Sequence, residues 1–185
     1  MSGDKPNTLR RDCPAVLVPS GENITLAAGS TVWITQSLGG SFTVMTDRGH
    51  MARIDGQDAD ALGMPAISEI RAEDSAPAES AEEAEQRVWH QLRRCFDPEI
   101  PVNIVELGLI YDCAVQPLAG GGYRAEVRFT LTAQGCGMGE FLKEDIRSKL
   151  LKVPGIREAH VELVWDPPWN QSRMSGTAKQ ELGIE

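Results

Sequence analysis

The 185-residue sequence has no long apolar run. Its longest apolar stretches are a few residues, far short of the ~20 that a membrane helix needs. The opening "MSGDKPNTLRRDC" contains nothing like the apolar core of a signal peptide. A soluble cytoplasmic protein is therefore expected, with no membrane partner. Basic residues are also scarce, since 18 Lys and Arg stand against 27 Asp and Glu, a formal net charge of −9. Nucleic-acid affinity comes from neutralising phosphates. With this balance and no basic stripe interleaved with aromatics, no nucleic-acid partner is expected. Histidine occurs only at positions 50, 90 and 160, scattered and not at ligand spacing. The four cysteines, Cys13, Cys95, Cys113 and Cys136, form no C-x-x-C pair. That excludes a zinc ribbon or a disulfide framework, and reduced thiols are expected.

What is present is enough for a core, with 41% hydrophobic residues. The segment 68–79, within the acidic and Ala/Ser-rich "SEIRAEDSAPAESAEEAEQ", reads as a linker between a first domain, 1–67, and a second, 80–185. In the first, "AVLVP", "NITLAAG", "STVWITQ", "SFTVMTD" and "HMARIDG" are β-branched stretches separated by glycine-bearing turns. They predict a small antiparallel β domain, with "DADALG" as a capped helical turn. Asp47, Asp55, Asp58 and Asp60 do not fit the twelve-residue calcium loop and read as turn formers.

The second domain opens with a capping box, Ser80 and Glu83. Ala84, Val88, Leu92 and Phe96 then recur every four residues, predicting a helix to about Cys95. Pro98 ends it. "LIYDCAVQ" (109–116) alternates, with Leu109, Tyr111, Cys113 and Val115 on one face. "YRAEVRFTLT" (123–132) also alternates, with Tyr123, Ala125, Val127, Phe129 and Leu131 facing one way and Arg124, Glu126, Arg128, Thr130 and Thr132 the other. Glycines between them predict a hairpin. Met138, Leu142, Ile146 and Leu150 predict a helix over 137–153, and "IREAHVELVW" a third strand reached by a parallel crossover. The fold class expected is α+β, an α-β-β-α-β domain with a small mixed sheet after the β domain. "SGTAKQELG" closes the chain as a short helix.

Cys136 stands among Gly135, Gly137 and Gly139, where the second strand hands over to a helix. Helix N-termini carry unpaired N–H groups and the positive end of the dipole, which favours a thiolate. The glycines let a large ligand or another protein's sulfur approach. The plainer alternative is a tight turn with a buried packing cysteine. In "DPEIP", Asp97 and Glu99 on a proline-stiffened loop suit hard oxygen ligation of iron or the poising of a proton near a thiol. The plainer reading makes them a helix stop and a turn cap. In "WDPPWNQSRMS", Trp165 and Trp169 flank two prolines. Trp165 continues the strand and reads as cover for the sheet, and Trp169 reads as a partner interface.

"DPEIPVNIVELGLIYD", "TLTAQGCGMGE" and "WDPPWNQSRMSGTAKQELG" together resemble the small iron–sulfur assembly domain family, over about residues 80–185. That family includes SufT and the phenylacetate-degradation factor PaaD. The segments "VPSGENITLAAGSTVWITQSLGGSFTV" and "ARIDGQDADALG" look like the extra β domain of the SufT branch. Gly137, where many wider members carry proline, fits that branch too. The resemblance implies a factor that helps pass iron–sulfur clusters to client apoproteins alongside Suf-type assembly proteins, and not an enzyme. It places the family's reactive cysteine on Cys136, the acid pair on Asp97 and Glu99, and the motif threonines on Thr130 and Thr132. A cluster normally takes four cysteine ligands, so a single thiol implies transient binding shared with a second protomer, a small thiol or a partner. A homodimer is expected on that ground. Two alternatives stay open: a thiol enzyme, such as a sulfurtransferase or peroxidase with Cys136 as nucleophile, and a client-binding adaptor with no cluster of its own.

Overall fold

The computed structural model describes residues 5–67, 75–135 and 137–184. The chain divides into two compact units, residues 1–69 and 70–185. The linker expected at 68–79 lies in good part outside the described residues.

The first unit is an antiparallel sheet of six strands: β1 (Pro6–Thr8), β2 (Cys13–Val18), β3 (Asn23–Leu26), β4 (Thr31–Leu38), β5 (Ser41–Thr46) and β6 (Met51–Asp55). Their order is β1-β4-β5-β6-β2-β3. The five β-branched stretches each become a strand. β1 has no such signal, since Pro-Asn-Thr is short and polar, and pairing with β4 is what makes it a strand. A 3-10 helix, Gly56–Leu62, follows with Asp55 accepting from the Gln57 N–H and Gly63 closing it at φ 78°. Val32, Phe42, Val44, Ala52, Ile54 and Ala59 are fully or almost fully buried and form the core of this unit.

The second unit contains α1 (Ala81–Leu92), β7 (Ile110–Pro117), β8 (Tyr123–Phe129), α2 (Gly139–Leu151), β9 (Ile156–Leu163) and α3 (Gly176–Glu181). The sheet order is β7-β8-β9, with β7 antiparallel and β9 parallel to β8. The expected α+β class and crossover are both present. The helices pack on this sheet through Ala84, Val88 and Leu92 of α1 and Leu142, Ile146 and Leu150 of α2. At the start of α1 the Ser80 hydroxyl accepts from the Glu83 N–H (3.1 Å), and the Glu83 carboxylate accepts from the Glu79 N–H (2.8 Å).

Three details differ from the periodicity. First, α1 stops at Leu92, and tight turns continue to Cys95, whose N–H donates to the Leu92 carbonyl (3.1 Å). Second, the register shifts between Ile110 and Asp112, so a bulge at Tyr111 breaks the odd-residue alternation of β7. Third, Thr130 does not continue the strand alternation, because β8 ends at Phe129, and unlike Arg128 of the same parity it is buried.

Lys149 lies outside the spacing-of-four apolar set of α2, yet it is only 2% exposed. Its ammonium donates to the Arg94 carbonyl just past α1 (3.1 Å) and to both Asp145 oxygens (3.2 Å each). It thus ties α2 to the end of α1. Truncating one partner of a buried ion pair costs about 3–5 kcal/mol. Lys149→Ala is expected to lose stability of that order in urea unfolding, and an unchanged midpoint would contradict the role.

Candidate functional site

The loop between α1 and β7 is built on its own backbone. An isolated antiparallel bridge joins Phe96 to Asn103, and the Ile104 N–H donates to the Cys95 carbonyl (3.0 Å). Between them, the Asp97 carboxylate accepts from the Glu99 N–H (2.9 Å), and the Asp97 carbonyl accepts from the Ile100 N–H (3.1 Å). This is an Asx turn, stiffened by the prolines. Asp97 is 9% exposed. Burial raises its pKa above the usual carboxylate value, the Glu99 N–H opposes that, and the Glu99 charge adds to it. The two acids therefore sit together, with Asp97 turned in and Glu99 exposed.

The sequence reading missed Asn103. Its side-chain oxygen accepts from the N–H groups of Val105 (3.1 Å) and Glu106 (3.0 Å) and shapes the turn that follows. Asn ahead of a tight turn is a readable signal. The turn ends at Gly108, φ 70°. A Cβ there would lie 2.3 Å from the Arg173 carbonyl oxygen, so the glycine is required twice over, by its dihedral and by the close approach.

The C-terminal segment is held against this turn. The Trp169 indole N–H donates to the Leu107 carbonyl (2.9 Å), and the Ser175 N–H donates to the Glu106 carbonyl (2.9 Å). The Tyr111 hydroxyl donates to the Pro167 carbonyl (2.7 Å), and the Arg173 guanidinium lies 4.2 Å from the centre of the Tyr111 ring. Both Trp165 and Trp169 are half-buried against the core.

Thr130 joins the loop to the end of β8, its N–H donating to the Leu109 carbonyl (2.9 Å). Its hydroxyl is buried and has no hydrogen-bond partner among the described residues. Thr132, Gly135 and Gly137 are exposed. Gly135 has φ 80° and open space where a Cβ would stand. Met138 is the N-cap of α2 and makes no side-chain cap bond. Gly139, the first residue of α2, lies against Leu163 and Leu131, where a Cβ would be 2.8 and 3.5 Å from their side chains. Cys136 lies outside the described residues.

The structure therefore brings Asp97 and Glu99 onto one loop, ties that loop through Leu109 to Thr130, and ties Trp169 to it through Leu107. Among the described residues, no three His, Cys, Asp or Glu groups are placed to hold a metal ion. The three described cysteines are free thiols. Burial pushes Cys13 up to about 11 and Cys113 up to about 12, and the Cys95 thiol donates to the Gln91 carbonyl (3.6 Å). These three read as packing residues, not as metal ligands.

A family described as iron-sulfur cluster assembly protein matches residues 85–163, from α1 to the end of β9. The Fe-S protein maturation auxiliary factor of Porphyromonas gingivalis is 40% identical over 102 residues, covering 55% of this chain and 93% of that protein. The Fe-S protein maturation auxiliary factor SufT of Staphylococcus aureus is 38% identical over 89 residues, covering 48% of this chain and 97% of that protein. A crystal structure of a domain of unknown function, DUF59, from Bacillus anthracis has 37% identity and a TM-score of 0.50, covering 57% of this chain and 96% of that one. This chain belongs to the iron–sulfur cluster assembly protein family. The six-stranded first unit stands wholly outside the family match.

Two outcomes follow from the buried polar groups. Because its folded pKa is raised, Asp97 contributes stability that is full below the ordinary carboxylate range and is lost as pH rises through the raised value. Asp97→Asn keeps an acceptor for the Glu99 N–H and removes the titration. The variant is expected to exceed the parent in stability near neutral pH, with the gap closing in mild acid, as read by urea unfolding at both. An unsatisfied buried hydroxyl costs about 1–3 kcal/mol. Thr130→Val keeps the shape and is expected to raise the unfolding free energy by about 1 kcal/mol. A loss of stability would mean that the hydroxyl has a partner.

Proposed function

We propose that this protein is an accessory factor in iron–sulfur protein maturation, in which Cys136 is the reactive thiol and one ligand of a cluster in transit. The observation that carries the reading is the start of α2. That helix has no side-chain cap, and Cys136 stands three residues ahead of its first residue, between exposed glycines. A free helix N-terminus favours the thiolate over the thiol. The naming of related proteins as Fe-S maturation auxiliary factors supports the same role. The cluster is cargo here, with no turnover by the protein itself. Among the described residues no cluster of Cys, His, Asp or Glu is placed to complete a four-thiolate set, so the remaining ligands come from a second copy, a small thiol or a partner protein. Asp97 and Glu99 offer hard oxygen ligands or a proton beside the thiol. Thr130 offers a hydroxyl with no competing bond among the described residues, and Thr132, Gly135 and Gly137 leave the approach open. Trp165 and Trp169 form the surface for partners, meaning Suf-type assembly proteins and client apoproteins in the cytoplasm.

An adaptor reading also has an observation behind it. The tryptophan arm is fixed to backbone carbonyls, and a stiff arm of this kind could recognise clients with no cluster bound. Anaerobic reconstitution with iron and sulfide separates the two. The wild type is expected to gain sulfur-to-iron charge-transfer absorption and bound iron, and Cys136→Ser to lose most of both. If neither protein binds iron, the carrier reading fails and the adaptor reading stands. Turnover of thiosulfate or peroxide would instead make Cys136 an enzymatic nucleophile.

A further inference from the structure

Sheet edges are templates for pairing with another chain unless they are short, bulged or interrupted. Among the described residues, three of the four edges are blunted in that way. β1 has three residues and β3 has four. β7 carries the bulge at Tyr111 and ends in Pro117. The fourth, β9, has eight residues. Its register with β8 is unbroken from Glu158 to Leu163, and the Val164 N–H continues it by donating to the Phe129 carbonyl (2.8 Å). A regular strand alternates the side to which its backbone points. Since Val164 turns to β8, so do Glu162, His160 and Glu158. Ala159, Val161 and Leu163 then turn their N–H and C=O groups outward, and no backbone bond to another described segment is made there. The chain after β9 leads away from this edge, toward Tyr111 and Leu107.

We infer that the open edge of β9 is a homodimer interface, in which two copies pair antiparallel about a two-fold axis through Val161 and form one six-stranded sheet. Complementarity between an imidazole and a carboxylate selects the partner and the register, as a hydrogen bond when the ring is neutral and as an ion pair when it is protonated. The regular stretch 158–164 is centred on Val161. With the axis there, Ala159 pairs with the partner's Leu163 on the core side. On the open side His160 lies opposite the partner's Glu162, and the pair occurs twice by symmetry. These are non-hydrogen-bonded positions, where side chains are closest. Shifting the axis to His160 sets Glu158 against the partner's Glu162, a like-charge opposition that destabilises. Shifting it to Ala159 draws in Arg157, where the register with β8 is irregular. His160 and Glu162 have side chains 65% and 67% exposed. Within the chain Glu162 meets Arg128 at 3.3 Å and His160 lies 3.9 Å from Glu158, exposed contacts of little worth that leave both able to reach across the edge. One strand per subunit buries little beside the ~1,200 Å² of a standard stable complex, so the dimer dissociates on dilution.

This interface would bring two copies together as the shared-ligand reading requires, but it stands on strand geometry and not on Cys136. The test therefore uses the full chain without iron, and its failure leaves cluster binding untouched. Sedimentation velocity over a concentration series is expected to show a monomer–dimer equilibrium. His160→Glu sets like charges opposite each other twice and is expected to weaken the dimer by about tenfold or more. Adding Glu162→Lys to that variant restores opposite charges and is expected to recover the dimer. Both positions are exposed, so folding is preserved, which circular dichroism verifies. A wild type that stays monomeric at every concentration overturns the inference and leaves the edge to a strand from a different protein. A dimer indifferent to both changes overturns it as well and moves the interface elsewhere.

Discussion

The parallel pairing of β8 with β9 is the constraint on which the second unit depends. Two parallel neighbours cannot be joined by a hairpin, so the chain must leave the end of β8, travel back as α2 and re-enter as β9. That route places the start of a helix beside the end of a strand. There the chain passes from Thr130, fixed to Leu109, to Met138 and the uncapped first turn of α2. The same pairing makes β9 an outer strand. The glycine-rich handover and the open edge are thus two results of one topological choice.

The return leg is fastened at its far end. Lys149 grips the Arg94 carbonyl and Asp145 where α1 has already ended. It couples the two helices where the apolar contact of α1 runs out. A hydrophobic residue in its place would fill the space but leave the Arg94 carbonyl without that donor. The loop that follows, 95–109, starts from this fixed point, so the placement of Asp97 depends on an ion pair in a different element.

Much of this was legible in the residues. β-branched runs gave the strands of the first unit, spacing of four gave both long helices, and the acid loop stood out as a proline-stiffened break between helix and strand, while Thr130 and Thr132 were singled out only by the family resemblance. What was not legible has a common cause, which is tertiary context overriding local pattern. β1 exists because β4 offers it an edge. Lys149 is buried because a carbonyl 55 residues away needs a donor. Thr130 has the parity of an outward residue, but the strand ends one residue before it. The bulge at Tyr111 adds one residue to β7 and frees that ring to meet Pro167 and Arg173. The sequence reading assigned Trp169 to a partner surface without foreseeing that its indole nitrogen would be tethered within the chain.

The tether itself has a consequence for divergence. Trp169 and Ser175 both address the loop through carbonyl oxygens, those of Leu107 and Glu106, and Tyr111 addresses Pro167 in the same way. A carbonyl is present whatever side chain its residue carries. Drift at position 106 can therefore change the surface shown to other molecules while the C-terminal segment keeps its seat, whereas Leu107 is held by the core it fills. Gly108 is the exception, since any Cβ there meets the Arg173 backbone. The arrangement separates position 106, which evolution is free to vary, from the packed and glycine positions beside it, which it must hold.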